Sequence, residues 1–303
     1  MSDGNKNRAF SFNVSGNRVT ANLRSHTLFD ISYEEPEKSP IDIYQDNILT
    51  YKKLLGCFTY NTESEKYESL ASNGKSEWNK LSNLIILGFI SSVESYVRCT
   101  IRKLLLFDKD AQLKSYSQNI TYGAATHHNN SLMPEALLEG FSFHSARNIR
   151  DAIKDMTGIN LNSPQRYPEL NSALNNYDFI AQLRHCIVHR SGHFGSNNAL
   201  SLGIEQYSEY LEKPIKMDIV VIQEAASTCD ALVKELNDAL FSEAICRTVN
   251  SAICNYEWKG DFEEDKDFFD IYYNLFVTSS STIDKEDCYN SFATSIGLDK
   301  PVT

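Results

Sequence analysis

The stretch from Ser76 to Phe107 constrains the fold of this chain most. Leu, Ile and Val occupy most of the circumference of a helix drawn through it. A helix that is apolar nearly all round has to be packed on several sides, so it predicts the central element of a mainly α-helical body. Its polar exceptions are few. Glu94 and Arg98 stand four apart, and Arg102 and Lys103 follow near the C-terminal end, where cations suit the helix dipole. The longest unbroken apolar run, Leu84 to Ile90, is far too short to span a bilayer, and no membrane partner is expected.

The remaining segments are expected to arrange themselves around that helix. Residues 8–26 read as a β-hairpin, with Phe10, Phe12 and Val14 alternating before Ser15-Gly16-Asn17 and Val19, Ala21 and Leu23 alternating after it. An acidic connector with two prolines runs from Phe29 to Pro40. A helix is predicted from Ile41 to Cys57, with Ile43, Ile48, Leu49 and Leu54 as its core positions. A polar loop or helix edge follows at 60–74. Residues 114–134 read as a long loop, 134–157 as one helix stopped by Thr157-Gly158, and a further helix starts near Glu169. After Gly192 a mobile stretch containing Gly195-Ser-Asn-Asn precedes a helix from Lys216 to Cys246, on which Ile219, Val220, Ile222, Ala226, Leu232, Val233, Leu236 and Leu240 hold the apolar positions. Residues 256–276 are dense in aromatic and acidic side chains. They predict a helix over 262–276, a Ser-rich break at 279–281 and a short final helix, packed on the body or covering a basic site in trans. The organisation expected is 1–40 hairpin and connector, 41–75 accessory helix and loop, 76–242 helical domain, and 243–303 acidic aromatic extension.

The polar chemistry concentrates in Asn176 to Gly192, NYDFIAQLRHCIVHRSG. Phe179, Ile180, Leu183 and Ile187 recur at helical spacing and predict a core stripe. Arg184 lies at the stripe's edge, His185 and His189 share the opposite face, and Arg190 sits in the last turn. Ser191-Gly192 then stops the helix, because Gly fits the left-handed position beyond a helix end. Commoner readings stand beside the functional one. Arg and His near a helix C-terminus also serve as dipole-complementing caps. Glu94 and Arg98 suit an ordinary i, i+4 ion pair; the functional alternative is that Glu94 holds Arg184. Arg147, Arg150 and Lys154 fall on one helix side and are by default a solvated face. His127-His128 has no Cys or carboxylate at ligand spacing, so no metal or cofactor is expected. Cys186 reads as a small core residue.

Charge and cysteines bound the partners. The 303 residues carry a formal net charge of −11, which argues against a whole-surface nucleic-acid coat. A local basic site remains compatible, since screening confines surface charge effects to about 10 Å. The seven cysteines, scattered without a repeating interval, read as reduced thiols in a cytoplasmic protein. MSDGNKNR, at the start, lacks the apolar segment of a secretory signal.

RHCIVHRSG at 184–192, with SSVESYVRCTIRKLL at 91–105 carrying Glu94 and Tyr96, resembles the HEPN superfamily. That family bears Arg-x4–6-His near the end of its third core helix and an acidic residue on its first. The resemblance covers about residues 76–242 and implies a HEPN-like up-and-down helical bundle, here with a small N-terminal β-hairpin and a C-terminal helical extension. It implies a metal-independent endoribonuclease in which ribose 2′-OH attack leaves 2′,3′-cyclic phosphate and 5′-OH ends. The catalytic residues would be Arg184, His189 and His185, supported by Glu94 and Arg190. His189 would be general acid or base, Arg184 would stabilise the phosphorane, and His185 would position one of them. Arg98, Arg102, Lys103, Arg147 and Arg150 are the candidate RNA-binding cations. The family implies a homodimer with a composite active site. Residues five apart on a helix point about 140° from each other, whereas a two-fold axis can bring Arg184 of one copy to His189 of another. A toxin or antiviral-defence role, with a regulatory or antitoxin partner, is implied by the resemblance alone. The alternative is a non-catalytic HEPN-like dimerising scaffold or a nucleotide or RNA sensor.

Overall fold

The structure is a computed structural model that describes residues 28–56, 58–61, 66–69, 76–129 and 131–298. The hairpin expected at 8–26 lies outside the described residues. Two units separate, 1–37 and 38–303. In the first, Asp30 closes a turn by accepting hydrogen bonds from the Ser32 N–H and hydroxyl. The second is one unit that includes the accessory helix, the predicted helical domain and the C-terminal extension, so the boundaries drawn at 75 and 242 do not separate bodies.

The architecture is mainly helical. In chain order the second unit runs α1 (Pro40–Leu54), β1 (Phe58–Asn61), β2 (Lys66–Ser69), α2 (Ser76–Phe107), α3 (Lys109–Ser115), α4 (Tyr122–His127), α5 (Met133–Leu138), α6 (Ala146–Thr157), α7 (Pro168–Arg190), α8 (Ser196–Leu202), α9 (Ile204–Tyr207), a 3₁₀ turn at Ser208–Tyr210, α10 (Ile219–Arg247), α11 (Phe262–Phe276) and α12 (Lys285–Ser295). β1 and β2 pair antiparallel with Phe58 opposite Ser69, a hairpin where the sequence predicted a polar loop or helix edge.

α2 is the axis of the unit. α1, α3, α5, α6, α7 and α10 all pack against it, and Ile85, Ile86, Phe89, Ile90, Val93, Val97, Ile101 and Leu104 are buried. Burying each such side chain contributes roughly 1.5–3 kcal/mol before entropy is charged. Its stretch Trp78–Phe107 is long and apolar enough to cross a membrane by length and composition. Most of that stretch is buried against the surrounding helices, while Leu84 and Leu106 are exposed.

Several local expectations shift, each for a visible reason. The helix predicted over 134–157 is two helices. α6 begins afresh at Ser145, whose hydroxyl accepts from Asn148 N–H, while Asp178 of α7 accepts from Ala146 N–H at 2.8 Å. It ends at Gly158, left-handed at φ 77°. The long loop expected over 114–134 contains α4, started by Thr121 accepting from Ala124 N–H. On α1, Ile41, Tyr44 and Ile48 are buried, whereas Leu49 and Leu54 are exposed. On α10, Ile219 and Val220 are exposed and the stripe from Ile222 to Leu240 is buried.

The C-terminal segment packs on the body. α11 lies against α10 and is started by Asp261, which accepts from the N–H groups of Glu263 and Glu264. Acids in its first turn suit the positive end of the helix dipole. Between α11 and α12, Trp258, Phe268, Phe269, Tyr289 and Phe292 form an edge-to-face aromatic cluster. Its polar centre is Asp265, fully buried, which accepts from Tyr289 and Tyr256 hydroxyls and from the Lys259 and Gly260 N–H groups. A second buried carboxylate, Asp108, starts α3 by accepting from Ala111 N–H and pairs with Arg247 at 2.6 Å.

Candidate functional site

The end of α7 carries the candidate site, and its geometry follows from which face the helix buries. The buried residues are Leu170, Ala173, Leu174, Tyr177, Ile180, Ala181 and Cys186. Leu183 and Ile187 pack on the core only partly, and Phe179, expected in the stripe, is exposed and lies beside Tyr207 with ring centroids 6.5 Å apart. The seam therefore runs Leu170, Ala173/Leu174, Tyr177, Ile180/Ala181, and the next position in that register is Arg184. Arg184 extends the core-facing seam instead of bordering it. It meets Glu94 of α2, with Nε 3.9 Å from Oε1 and both side chains about a third exposed. Arg98 turns away from Glu94 to Glu135 at 3.4 Å, so the expected i, i+4 pair gives way to the contact between α2 and α7.

Gln182, His185 and His189 form a separate stripe on the other side of α7. The imidazoles of His185 and His189 lie with centroids 5.1 Å apart and planes tilted by 48°. His189 is exposed and His185 half-buried. His185 Nδ1 meets the side-chain amide of Asn198, 3.2 Å from Nδ2 and 3.4 Å from Oδ1. Asn198 is fully buried. It donates through Nδ2 to Gln182 Oε1 at 2.9 Å and accepts through Oδ1 from Gly195 N–H at 3.3 Å.

The segment that brings Asn198 there is a hydrogen-bonded excursion that contains a helix, at the stretch the sequence predicted to be mobile. Ser191 and Gly192 are left-handed, at φ 53° and 82°, and Gly192 N–H returns to Cys186 O at 2.9 Å, a Schellman-type stop. The excursion is closed at its base by Ile215 N–H to Gly192 O, Phe194 N–H to Lys213 O and Glu212 N–H to Phe194 O. Inside it α8 starts at Gly195. Arg190 lies across Gly195, where a Cβ would stand 2.6 Å from Nε. The guanidinium reaches Glu212, with Nη2 2.5 and 2.6 Å from the two carboxylate oxygens. Glu212 has φ 60°, an uncommon backbone state for a side chain of this kind. Arg190 thus acts as a strap on the excursion.

The five candidate RNA-binding cations do not gather into one patch with these residues. Arg98 and Arg102 of α2 both reach Glu135 of α5, and Arg98 also lies over the Phe143 ring. Lys103 donates to Lys38 O at 2.9 Å. Arg147 pairs loosely with Asp151, and Arg150 donates to Asn171 Oδ1 at 3.0 Å. Cys186 is buried, and burial pushes its thiol up, away from a reactive thiolate. Among the described residues, no three His, Cys, Asp or Glu side chains cluster to hold a metal ion. His128 Nδ1 stands 3.1 Å from Ala124 O.

A ligand-sized cavity of about 280 Å³ lies elsewhere, between α1, α10, α11 and the 277–283 turn, lined by Lys234, Asn237, Asp238 and Tyr273 among others. The two histidines do not line it.

Asn198 is the site residue that sequence reasoning missed. The available signal was Gly195 followed three residues later by a side chain able to cap the first turn of a helix. Comparison with protein-family models, with curated proteins and with solved structures returned no match.

Proposed function

We propose that this chain is a metal-independent endoribonuclease of the HEPN type, acting as a homodimer. The observation that carries this reading is the pairing of Glu94 on α2 with Arg184 on α7, directly before a half-buried His185 whose ring lies against the exposed His189 at the helix end. The long helices α2, α7 and α10 with α6 between them in sequence suit a HEPN-like bundle. In the reaction, His189 takes the 2′-OH proton while the 2′-oxygen attacks phosphorus. Arg184 binds the non-bridging oxygens, whose charge grows in the transition state. The P–O5′ bond breaks and the departing 5′-oxygen takes up the proton that His189 now carries, leaving a 2′,3′-cyclic phosphate and a 5′-hydroxyl. DNA lacks the nucleophile and is not cut.

The divergence of the two groups supports the dimer. Arg184 continues the core seam, whereas His189 shares the outer stripe with His185, and a two-fold axis can bring Arg184 of one copy to His189 of another.

A second reading is favoured by the position of Arg184 itself. A guanidinium on the packing seam, paired with a carboxylate, would also serve a non-catalytic dimerising scaffold or RNA sensor. Incubation of the purified chain with total RNA in EDTA separates the two. Cutting that leaves 2′,3′-cyclic phosphate ends and vanishes in His189→Ala and Arg184→Ala supports the nuclease. Equal cutting by the variants, or no cutting by the wild type, leaves the scaffold.

A further inference from the structure

We propose that Asn198 is a positioning residue that holds His185 in its Nε2–H form, making it a fixed hydrogen-bond donor for a phosphate oxygen beside His189. The inference rests on the nuclease reading for its consequence and on the structure alone for its chemistry.

The amide of Asn198 has only one orientation that satisfies its neighbours. Gly195 N–H can only donate, so the atom 3.3 Å from it is the oxygen. Gln182 presents two acceptors, its side-chain oxygen at 2.9 Å and its backbone oxygen at 3.3 Å, so the atom facing them is the nitrogen. Nδ2 then has three acceptors for two hydrogens, and Gln182 Oε1 at 2.9 Å takes one. His185 Nδ1 at 3.2 Å, nearer than Gln182 O at 3.3 Å and nearer to Nδ2 than to Oδ1 at 3.4 Å, is the better placed for the other. A neutral imidazole has one donor and one acceptor nitrogen. With Nδ1 accepting from Asn198, the proton resides on Nε2. The hydrogen bond made by one ring nitrogen sets the state of the other.

Burial makes this device effective. Asn198 is fully buried, and a buried amide that loses a partner is costly, so the ring cannot simply turn away from it. The excursion that carries Asn198 is itself strapped by Arg190 and Glu212. His189, among the described residues, has ring contact with His185 and makes no side-chain hydrogen bond. The two imidazoles are thereby given different tasks. His185 donates from Nε2 without giving up its proton, and His189 exchanges the 2′-OH proton. No bond beyond those of the cleavage step forms or breaks.

The test is two-dimensional ¹H–¹⁵N NMR of the histidine rings in the full chain, with His185→Gln assigning the signals. Wild type should show His185 as Nε2–H. Asn198→Asp keeps an acceptor for Gly195 N–H but faces Nδ1 with a carboxylate, and it should switch His185 to Nδ1–H. Asn198→Ala should release the ring to a mixture. Wild-type His185 found as Nδ1–H, or an unchanged tautomer in Asn198→Asp, overturns the inference. Circular dichroism of each variant separates this from misfolding. For the reaction, Asn198→Asp should lower kcat about tenfold or more with KM little changed. A switched tautomer with wild-type cleavage overturns the positioning role. Should the wild type cut no RNA at all, the nuclease reading fails while the tautomer result still decides the chemistry of Asn198.

Discussion

Glu94 Oε1 stands 3.9 Å from Arg184 Nε across the contact between α2 and α7, at the register position that follows Tyr177 and Ala181 on the buried seam. Both side chains keep about a third of their surface in water. A pair so exposed contributes about 0–1 kcal/mol to stability, so its larger effect is on where the guanidinium points. Glu94→Gln keeps the shape and removes the charge. Urea denaturation should place the variant within about 1 kcal/mol of wild type, while RNA cleavage falls about tenfold, a loss of about 1.4 kcal/mol in transition-state binding. A variant that cuts normally would show that Glu94 has no part in aiming Arg184.

Because Arg184 and His189 project from different sides of α7, complementation should reveal whether two chains share a site. Arg184→Ala and His189→Ala homodimers should each be inactive. When the two are mixed and allowed to exchange, half of the dimers are mixed, and each of these rebuilds one of its two sites. Activity should therefore return to about a quarter of wild type. A mixture as inactive as its parents, with exchange verified by tagged protomers, would place both groups of each site on one chain.

How much of this could be read from residues alone depends on how far away the deciding partner lies. α2 was legible because Ile85, Phe89, Val93 and Leu104 advertise burial by themselves. The stop of α7 was legible because Ser191-Gly192 is a local signal. The orientation of α7 was not. Phe179 and Tyr177 offer similar apolar area, and the buried seam is completed by Ala173 and Ala181, whose small side chains carry little weight in a periodicity. The break between α5 and α6 depends partly on Asp178, which reaches Ala146 from 32 residues away. Asn198 shows the same limit for the site. Gly195-Ser-Asn-Asn has the composition of a loop, and only its meeting with Gln182 and His185 makes it part of an ordered core. The choice of Glu94 between Arg98 and Arg184 was likewise settled by packing of separate helices, and so was the engagement of Arg98 and Arg102 by Glu135.

Asp265 should give the protein an acid-labile C-terminal segment. Burial pushes its carboxyl up, but hydrogen bonds from Tyr289, Lys259 N–H, Tyr256 and Gly260 N–H outweigh that and hold it below the ordinary value of 3.8. A carboxylate depressed in the folded state adds stability that is present above its unfolded pKa and lost as pH falls through the folded one. The loss attributable to this group should thus appear below about pH 4. Asp265→Asn removes the titration. Urea midpoints followed from pH 7 to 2.5 by tryptophan fluorescence, with Trp258 beside the cluster, should fall less steeply at the acid end in the variant. Parallel curves for the two proteins would exclude Asp265 as a contributor.

Asp108 and Arg247 set the other buried charge, and here removing one partner should cost far more than removing both. Asp108 is almost wholly buried, and its carboxylate holds the start of α3 through Ala111 N–H, accepts from the Tyr272 hydroxyl and pairs with Arg247 at 2.6 Å. Arg247 also donates to Thr157 O at 2.7 Å, tying the end of α10 to the end of α6. Arg247→Ala leaves the carboxylate buried with only its neutral donors, and such a stranded charge costs about 3–5 kcal/mol. Asp108→Asn combined with Arg247→Met removes both charges, keeps an effective helix cap at Asn and fills the arginine's space with an apolar chain. The double variant should recover most of that loss in urea denaturation, since a buried pair replaced as a whole is close to neutral. If the double variant were as unstable as the sum of its single changes, the two groups would not be coupled, and the capping of α3 alone would account for the burial of Asp108.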